Sequence, residues 1–231
     1  HAKQMVKEGA DIIDVGGESP RPGSDAVSEE EELKRVAPII KKLAKEINVP
    51  ISIDTYKPNV ADECIKLGAN IINDINGLRD KKMIEIAAKC KVPVVIMHMK
   101  GTPKNMQANP VYDDAVKEIR EFLSDKIKEA KKAGINDIII DPGIGFGKTT
   151  EHNLEILKNL NKFKELNCPI LVGPSRKSFI GNITRLPVNE RLEGTLASIA
   201  IAIINGANIV RVHDVKECKR TVMVADAVRN A

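Results

Sequence analysis

Seven short apolar runs recur along this chain, and most of them follow a helix-like stretch that ends at Gly, Asn or Pro. Runs that are apolar on both faces and separated by helices are typical of strands in a parallel sheet covered by helices. With 231 residues, the chain is long enough for one large core of this type and short for two. We therefore predict a single α/β domain over residues 1–231. The runs are 12–15, 51–53, 71–72, 92–97, 138–140, 170–172 and 209–212.

The number of runs favours a closed barrel over an open sheet. A (β/α)8 TIM barrel contains eight strand–helix units of roughly 30 residues each, whereas this sequence holds seven runs and begins within a helix-like stretch, residues 1–7. We expect a (β/α)8 TIM barrel whose first β-strand and following loop are absent from this sequence, so that the domain is N-terminally incomplete. A doubly wound open sheet, which needs no additional strand, is the alternative.

The composition argues against nucleic-acid and membrane binding. Aromatic residues make up 3% of the chain and the net charge is only +4, so a stacking platform for nucleic acid is not expected. No apolar run approaches the ~20 residues that cross a bilayer. The four cysteines are far apart, which predicts reduced, buried thiols and neither zinc nor disulfides. We predict a soluble, cytoplasmic protein.

Polar side chains stand where the apolar runs end. In a parallel barrel the carboxyl ends of all strands converge on one face, and that face carries the active site. A buried polar group without a partner costs roughly 1–3 kcal/mol, so several such groups facing a closed core indicate a polar ligand. The five residues that we expect to surround this ligand are Asp54, Asn73, Asp141, Lys177 and Arg211.

Simpler explanations suffice for three other polar residues near these strand ends. Asp14 and Asp74 are expected to cap a helix or anchor a loop. For His98 we favour a core histidine whose hydrogen bonds are satisfied, while a role in the site stays open.

Arg211 and His213 are two residues apart in a strand-like run, so they are expected to project to the same side as one cationic pair.

Two Gly-rich segments follow later strands. Residues 173–181, GPSRKSFIG, combine two cations and two hydroxyls and can open a helix at Ser178, which favours binding of a carboxylate or phosphate; a solvated basic loop is the alternative. Residues 142–149, PGIGFGKT, do not match a mononucleotide P-loop, because Pro142 stands where that motif needs Gly. Their glycines let the loop approach a flat ligand, with Phe146 as an apolar lid.

Eight segments, taken in order, resemble the dihydropteroate synthase family of pterin-binding barrels across almost the whole chain. They are DVGGES (14–19), RPGS (21–24), SIDT (52–55), IIND (71–74), MHMKGTP (97–103), DPGIGF (141–146), SRKSFIG (175–181) and RVHD (211–214). The resemblance implies an enzyme of folate biosynthesis that joins 6-hydroxymethyl-7,8-dihydropterin pyrophosphate to p-aminobenzoate and releases pyrophosphate. It also implies inhibition by sulfonamides, Mg²⁺ as cofactor and a homodimer formed through outer helices.

The resemblance further implies roles for particular residues. Those around the pterin would be Asp54, Asn73, Asp141 and Lys177. Those holding the pyrophosphate would be Arg21, Arg211 and His213, and those bordering the p-aminobenzoate would be Ser178, Phe146 and Pro22. The catalytic residues would be Asp54, Asp141, Lys177 and Arg211. No metal ligand is expected within residues 1–231, because the family's metal-binding Asn lies in the loop after the first strand.

One motif departs from the family pattern, and two other functions stay open. The segment GGESPRPG at 16–23 has Pro20 where the family has Thr. Since Pro lacks an N–H and fixes φ at about −65°, this loop is expected to be stiffer or displaced. The alternatives are a pterin-dependent methyltransferase, which would have no need of the basic segments SRKSF and RVHD, and a pterin-binding barrel without turnover.

Overall fold

The structure is a computed structural model that describes residues 1–19 and 23–231. Within these residues the chain forms seven β-strands and nine α-helices. The strands are β1 (Ile13–Gly16), β2 (Ile51–Asp54), β3 (Ile71–Asp74), β4 (Val94–Met97), β5 (Ile138–Asp141), β6 (Leu171–Val172) and β7 (Ile209–Val210). The helices are α1 (Ala2–Lys7), α2 (Glu29–Glu46), α3 (Pro58–Lys66), α4 (Lys81–Cys90), α5 (Ala115–Lys132), α6 (Thr150–Lys158), α7 (Ser178–Thr184), α8 (Leu192–Ile204) and α9 (Val215–Arg229).

The strands pair in parallel and in chain order. Strands β1 to β5 form one sheet in the order β1-β2-β3-β4-β5, β6 pairs with β7, and a parallel bridge between Ile140 and Ile170 links β5 to β6. An ion pair between Arg211, just after β7, and Asp14 of β1 brings the two outermost strands together. A doubly wound sheet would instead place its first strand in the interior. The predicted barrel-type fold is confirmed, and an eighth strand ahead of His1 stays a prediction.

Each strand separates two apolar layers, because successive side chains point to opposite faces. Ile53, Ile72 and Val94 belong to the main core, which packs the strands against the helices. Val95 and Leu171 belong to a second cluster on the other face. That inner face lines a cavity of about 560 Å³. Burial on both faces explains why the strands appear in the sequence as continuous apolar runs.

The side chain of Ser28 caps the start of helix α2. The hydroxyl of Ser28 accepts the N–H of Glu31 at 3.2 Å. The Glu31 carboxylate accepts a hydrogen bond from Arg35 at 2.9 Å, one turn further along the helix.

The cysteines differ in burial. All four are free thiols, but Cys90 and Cys168 are only half-buried, which corrects the expectation that every cysteine lies in the core. Among the helices of residues 1–19 and 23–231, none has the length and apolar character needed to cross a membrane.

Candidate active site

Asp54, Asn73 and Asp141 lie at the carboxyl ends of β2, β3 and β5 on the inner face of the sheet. Each stands two residues after a cavity-lining residue of its own strand, so strand alternation directs all three side chains inward. The parallel register pairs Asp54 directly with Asn73. The three residues are 7%, 6% and 8% exposed, respectively. The structure therefore brings these three predicted site residues together in a buried, polar corner.

Arg211 connects this corner to β1. Its Nε donates to Oδ2 of Asp14 at 2.6 Å, and its Nη2 donates to Oδ2 of Asp54 at 2.9 Å. Asn73 Nδ2 lies 3.3 Å from the same Asp14 oxygen. The Arg211 side chain is nevertheless 43% exposed, so it lies at the open side of this corner.

The expectation that Asp14 caps a helix or anchors a loop is wrong. Asp14 lies within β1, and its carboxylate accepts hydrogen bonds from Arg211 and Asn73. The sequence did contain the signal, because Asp14 stands two residues after Ile12, which also lines the inner face. Strand alternation applied to β1 would have added Asp14 to the site.

Asp74 and His98 have structural roles. Asp74 accepts the N–H groups of Asn76 and Leu78, each at 2.8 Å, and so anchors the loop after β3 as the sequence suggests. His98 is 6% exposed, and its Nδ1 lies 3.1 Å from Nζ of Lys148. Burial, followed by the charge of Lys148, lowers the pKa of His98 to about 2. His98 is therefore a neutral, hydrogen-bonded core histidine.

Burial strongly perturbs both carboxylates of the site. It raises the pKa of Asp54 to about 7, where the charge of Asp14 adds to the effect and that of Arg211 opposes it. Burial also raises the pKa of Asp141, although the charge of Lys177 and a 2.7 Å hydrogen bond from the Gly143 N–H act in the opposite direction. A ligand that develops positive charge between these groups would favour their ionised forms.

Lys177 reaches the same site from the loop between β6 and α7. Its Nζ donates to the carbonyl oxygen of Ile144 and lies 4.5 Å from the centre of the Phe146 ring. Burial lowers the pKa of Lys177 to about 8, against the opposing charge of Asp141. A Cβ at Gly145, where φ is +81°, would lie 2.8 Å from the Lys177 side chain. The Gly-rich loop after β5 and Lys177 thus form one wall of the site.

Ser178 and His213 belong to two different segments, the start of α7 and the loop after β7. Ser178 is the first residue of α7, as the sequence predicts, and it is exposed. The Nδ1 atom of His213 lies 2.8 Å from Oγ of Ser175. His213 lines the same cavity as Arg211, but the Arg211 charge is paired with two carboxylates. The two residues line the same side of the barrel, as the alternation of the run predicts, and their grouping as one cationic pair stays a prediction.

The predictions for three residues of the loop after β1 have no structural outcome, and the expected Mg²⁺ is compared here with the donors that the structure describes. Pro20, Arg21 and Pro22 lie outside the described residues. In the part of the chain that the structure describes, no group of three or more His, Cys, Asp or Glu side chains could hold a metal ion. Both Asp14 and Asp54 already bind Arg211. The described donors therefore do not fit a Mg²⁺ site by themselves.

The barrel and its buried carboxylates match a known class of enzyme. A family model described as "Pterin binding enzyme" matches residues 1–213, so the fold and the site define a pterin-binding barrel enzyme. The dihydropteroate synthase of Clostridium beijerinckii is 51% identical over 99% of this chain and 84% of that protein.

Two solved structures extend this similarity to three dimensions. The first is a Yersinia pestis dihydropteroate synthase in a sulfonamide drug complex, with a TM-score of 0.97, 45% identity, and coverage of 100% of this chain and 85% of that one. The second is a Clostridium difficile dihydropteroate synthase in the presence of pteroic acid, with a TM-score of 0.94, 47% identity, and coverage of 99% and 86%. The chain belongs to the dihydropteroate synthase family.

Proposed function

We propose that this protein condenses 6-hydroxymethyl-7,8-dihydropterin pyrophosphate with p-aminobenzoate to give 7,8-dihydropteroate and pyrophosphate in folate biosynthesis. The observation that carries the proposal is the convergence of four polar side chains on one face of the barrel, namely Asp54, Asn73, Asp141 and Lys177. The sequence of this chain is 51% identical to that of a dihydropteroate synthase. The relative solved with pteroic acid supports both substrates, because pteroic acid joins a pterin to p-aminobenzoate.

The pterin is assigned to the buried corner. Its amino-pyrimidinone edge presents several N–H donors, and a carboxylate accepts two of them as a paired hydrogen bond. Asp141 is the carboxylate that we assign to this edge, since the Gly143 N–H already orients one of its oxygens. Asn73 and Asp54 lie across the corner, and Lys177 can donate to the acceptor atoms of the ring. Exclusion of water strengthens each of these contacts.

The bond that breaks joins the pterin methylene carbon to a pyrophosphate oxygen. We infer that this C–O bond loosens before the amine attacks, so that positive charge develops on the methylene group and Asp54 and Asp141 stabilise it. The departing pyrophosphate takes the electron pair of the bond. Arg21, Arg211 and His213 are assigned to it. Arg211 suits this role because two carboxylates hold its guanidinium in place while the side chain as a whole remains 43% exposed.

The amine of p-aminobenzoate forms the new C–N bond and loses a proton to water. Phe146, Ser178 and Pro22 are assigned to this substrate. The Phe146 ring supplies an apolar contact for the benzoate ring. The exposed Ser178 hydroxyl can donate a hydrogen bond to the carboxylate.

Magnesium is proposed from the family resemblance alone. Mg²⁺ is commonly held by one or two carboxylates together with substrate phosphates, and the carboxylates of Asp14 and Asp54 are each paired with Arg211. We therefore assign no reaction step to the ion. A homodimer and a cytoplasmic location are also expected from the resemblance.

Release of pyrophosphate on mixing the protein with both substrates tests the proposed function. We expect release that requires both substrates, together with a product of the mass of dihydropteroate. A methyltransferase would instead transfer a methyl group from methyltetrahydrofolate to a corrinoid protein, and a non-catalytic barrel would bind a pterin without release. Pterin binding with no pyrophosphate release would contradict the proposal.

A further inference from the structure

A buried ionic cluster of Glu18, Lys57 and Glu32 lies beside the site, and none of these residues contacts a substrate in the assignments above. Lys57 Nζ lies 2.5 Å from Oε2 of Glu18 and 2.5 Å from Oε2 of Glu32. The side chain of Glu32 is 1% exposed, and those of Lys57 and Glu18 are 11% and 12% exposed. Three charged groups this deeply buried call for an explanation.

The cluster joins three separate elements. Glu18 follows β1, Glu32 lies in the first turn of α2, and Lys57 is the residue that precedes α3. Their contacts fasten the loop after β1 to the starts of two helices. This loop contains Arg21 and Pro22, which are assigned to the pyrophosphate and the p-aminobenzoate.

Glu18 also holds the far end of that loop. Its Oε2 accepts the backbone N–H of Val27 at 3.0 Å, and its Oε1 accepts the hydroxyl of Tyr56 at 2.9 Å. One carboxylate therefore contacts both Lys57 and the residue just ahead of α2. The residues before and after the segment with Arg21 and Pro22 are therefore held together at the Glu18 carboxylate.

The first residues of the loop after β1 pack closely against α2 at Gly17. A Cβ at Gly17 would lie 2.8 Å from Cγ of Glu32, and Arg35 Nη1 donates to the carbonyl oxygen of Gly17 at 3.0 Å. The absence of a side chain at Gly17 allows this approach. The loop base thus has little room to shift toward or along α2.

Stability alone is a poor explanation for the cluster. Burying an ion pair costs desolvation energy that its attraction often fails to recover, and apolar replacements are frequently as stable or more so. Here two carboxylates share one ammonium, and Oε1 of Glu32 has no hydrogen-bond partner among the described residues. Charged hydrogen bonds are directional, however, so they specify one position of the loop where apolar contacts would allow several.

We propose that Lys57 is a positioning residue that, with Glu18 and Glu32, fixes the flanks of the loop after β1 so that Arg21 and Pro22 can reach the pyrophosphate and the p-aminobenzoate. This inference rests on the proposed function, because the roles of Arg21 and Pro22 are part of it. The inference concerns only the contacts made by the loop after β1, because the residues assigned to the pterin come from other strands and loops. Loss of the cluster should therefore weaken use of p-aminobenzoate while leaving pterin binding intact.

The test compares Lys57→Met and Glu18→Gln with a matched control, Lys66→Met, which removes an exposed lysine from α3, the helix that Lys57 precedes. The measurements are kcat, the KM for p-aminobenzoate, and the affinity for 6-hydroxymethylpterin by calorimetry. For both cluster variants we expect the KM to rise about tenfold or more, while pterin affinity changes by less than about twofold. The control should match the unmodified protein in all three. The double variant should be no worse than the poorer single variant, because both substitutions break the same interaction.

An unchanged KM in both cluster variants, or a loss of pterin affinity as large as the rise in KM, would overturn the inference. If Lys57→Met does not fold, Glu18→Gln carries the test, since it preserves the shape of the side chain. Hydrogen exchange gives a readout without turnover: amides of residues 17–28 should exchange faster in the cluster variants, while those of β2 should not. This arm separates the inference from the proposed function, because it can succeed even if no pyrophosphate is released. Exchange of residues 17–28 at the same rate in the cluster variants and in the unmodified protein would contradict the inference.

Discussion

Asp14 and Asp54 bind the same guanidinium, that of Arg211, from neighbouring strands. Burial and the charge of Asp14 together raise the pKa of Asp54, and Arg211 offsets only part of this rise. The result is a carboxyl that ionises near neutral pH, where its charge responds to small changes in its surroundings. Carboxyls shifted in this way by burial and a like charge are typical of catalytic sites.

Replacing Asp141 by Asn should sharply reduce turnover. If one electrostatic contact to the developing charge contributes about 3–4 kcal/mol, turnover should fall by about two to three orders of magnitude. Steady-state pyrophosphate release provides the measurement, and Glu155→Gln, which alters an exposed carboxylate on α6, is the matched control. A loss of less than about fivefold in Asp141→Asn would refute the assigned role.

The pH dependence of kcat/KM should report the ionisation of Asp54. Because the pKa of Asp54 is raised to about 7, its ionised form predominates only above that pH, and kcat/KM should rise as the pH passes through about 7. Asp14→Asn removes the like charge, lowers the pKa of Asp54 and should move the rise to lower pH. A pH profile of both proteins checks this; an unmoved midpoint would show that Asp14 does not control the ionisation.

At the scale of elements, short strands present the polar groups and the loops after them complete the site. Strands β6 and β7 have two residues each, so Lys177 and Arg211 lie beyond the regular ladder. Their positions depend on loop contacts such as the ion pair of Arg176 with Asp214, in which two hydrogen bonds of 2.8 Å join the loop after β6 to the loop after β7.

The loop after β5 should tolerate no side chain at Gly143. Gly143 and Gly134 both have positive φ, +71° and +91°, but a Cβ at Gly143 would overlap the carbonyl oxygen of His98, whereas none of the described atoms lies within 4 Å of one at Gly134. Alanine pays a left-handed strain of roughly 1–2 kcal/mol at either position, and only Gly143→Ala adds the overlap and displaces the N–H that Asp141 accepts.

Urea unfolding and pterin calorimetry on the two alanine variants give the comparison. We expect Gly143→Ala to lose more unfolding free energy than Gly134→Ala and to bind 6-hydroxymethylpterin more weakly. Gly134→Ala should retain pterin affinity. Equal losses in both variants would mean that the overlap is relieved without cost.

At the scale of the whole molecule, two packed helices expose an apolar surface. Helix α8 is apolar on nearly all sides and packs against α9. Contiguous exposed apolar surface is typical of protein interfaces. The exposed apolar residues of the two helices are Ile201, Ile204, Met223, Val224 and Val228.

The predicted homodimer should therefore form through α8 and α9. Val224→Lys should shift the protein toward the monomer, because it buries a charge in the interface without a partner. Sedimentation velocity over a range of concentrations measures the shift. Ile39→Lys, at an exposed apolar position on α2, is the matched control and should remain dimeric. A dimer that persists in Val224→Lys would place the interface elsewhere.

Much of the architecture was predictable because each of its signals is local. Every apolar run overlaps a strand, with ends that agree to within two residues, as in the run 92–97, where β4 begins at Val94. The convergence of strand ends in a parallel barrel was enough to predict that Asp54, Asn73 and Asp141 meet, and strand alternation applied to β1 would have added Asp14. The pairing of Arg211 with Asp14 was not predictable, since 197 residues separate the two in sequence.

The sequence by itself determined the alternation of strands and helices, the family, and the identity of the polar groups at the strand ends, because periodicity, motifs and residue chemistry are properties of neighbouring residues. Only the tertiary structure decided which charges meet. Arg211 lies between Asp14 and Asp54, and Lys57 lies between Glu18 and Glu32, because the barrel brings distant loops together. Burial at these contacts then sets the pKa values, since desolvation depends on what surrounds a group and not on its neighbours in sequence.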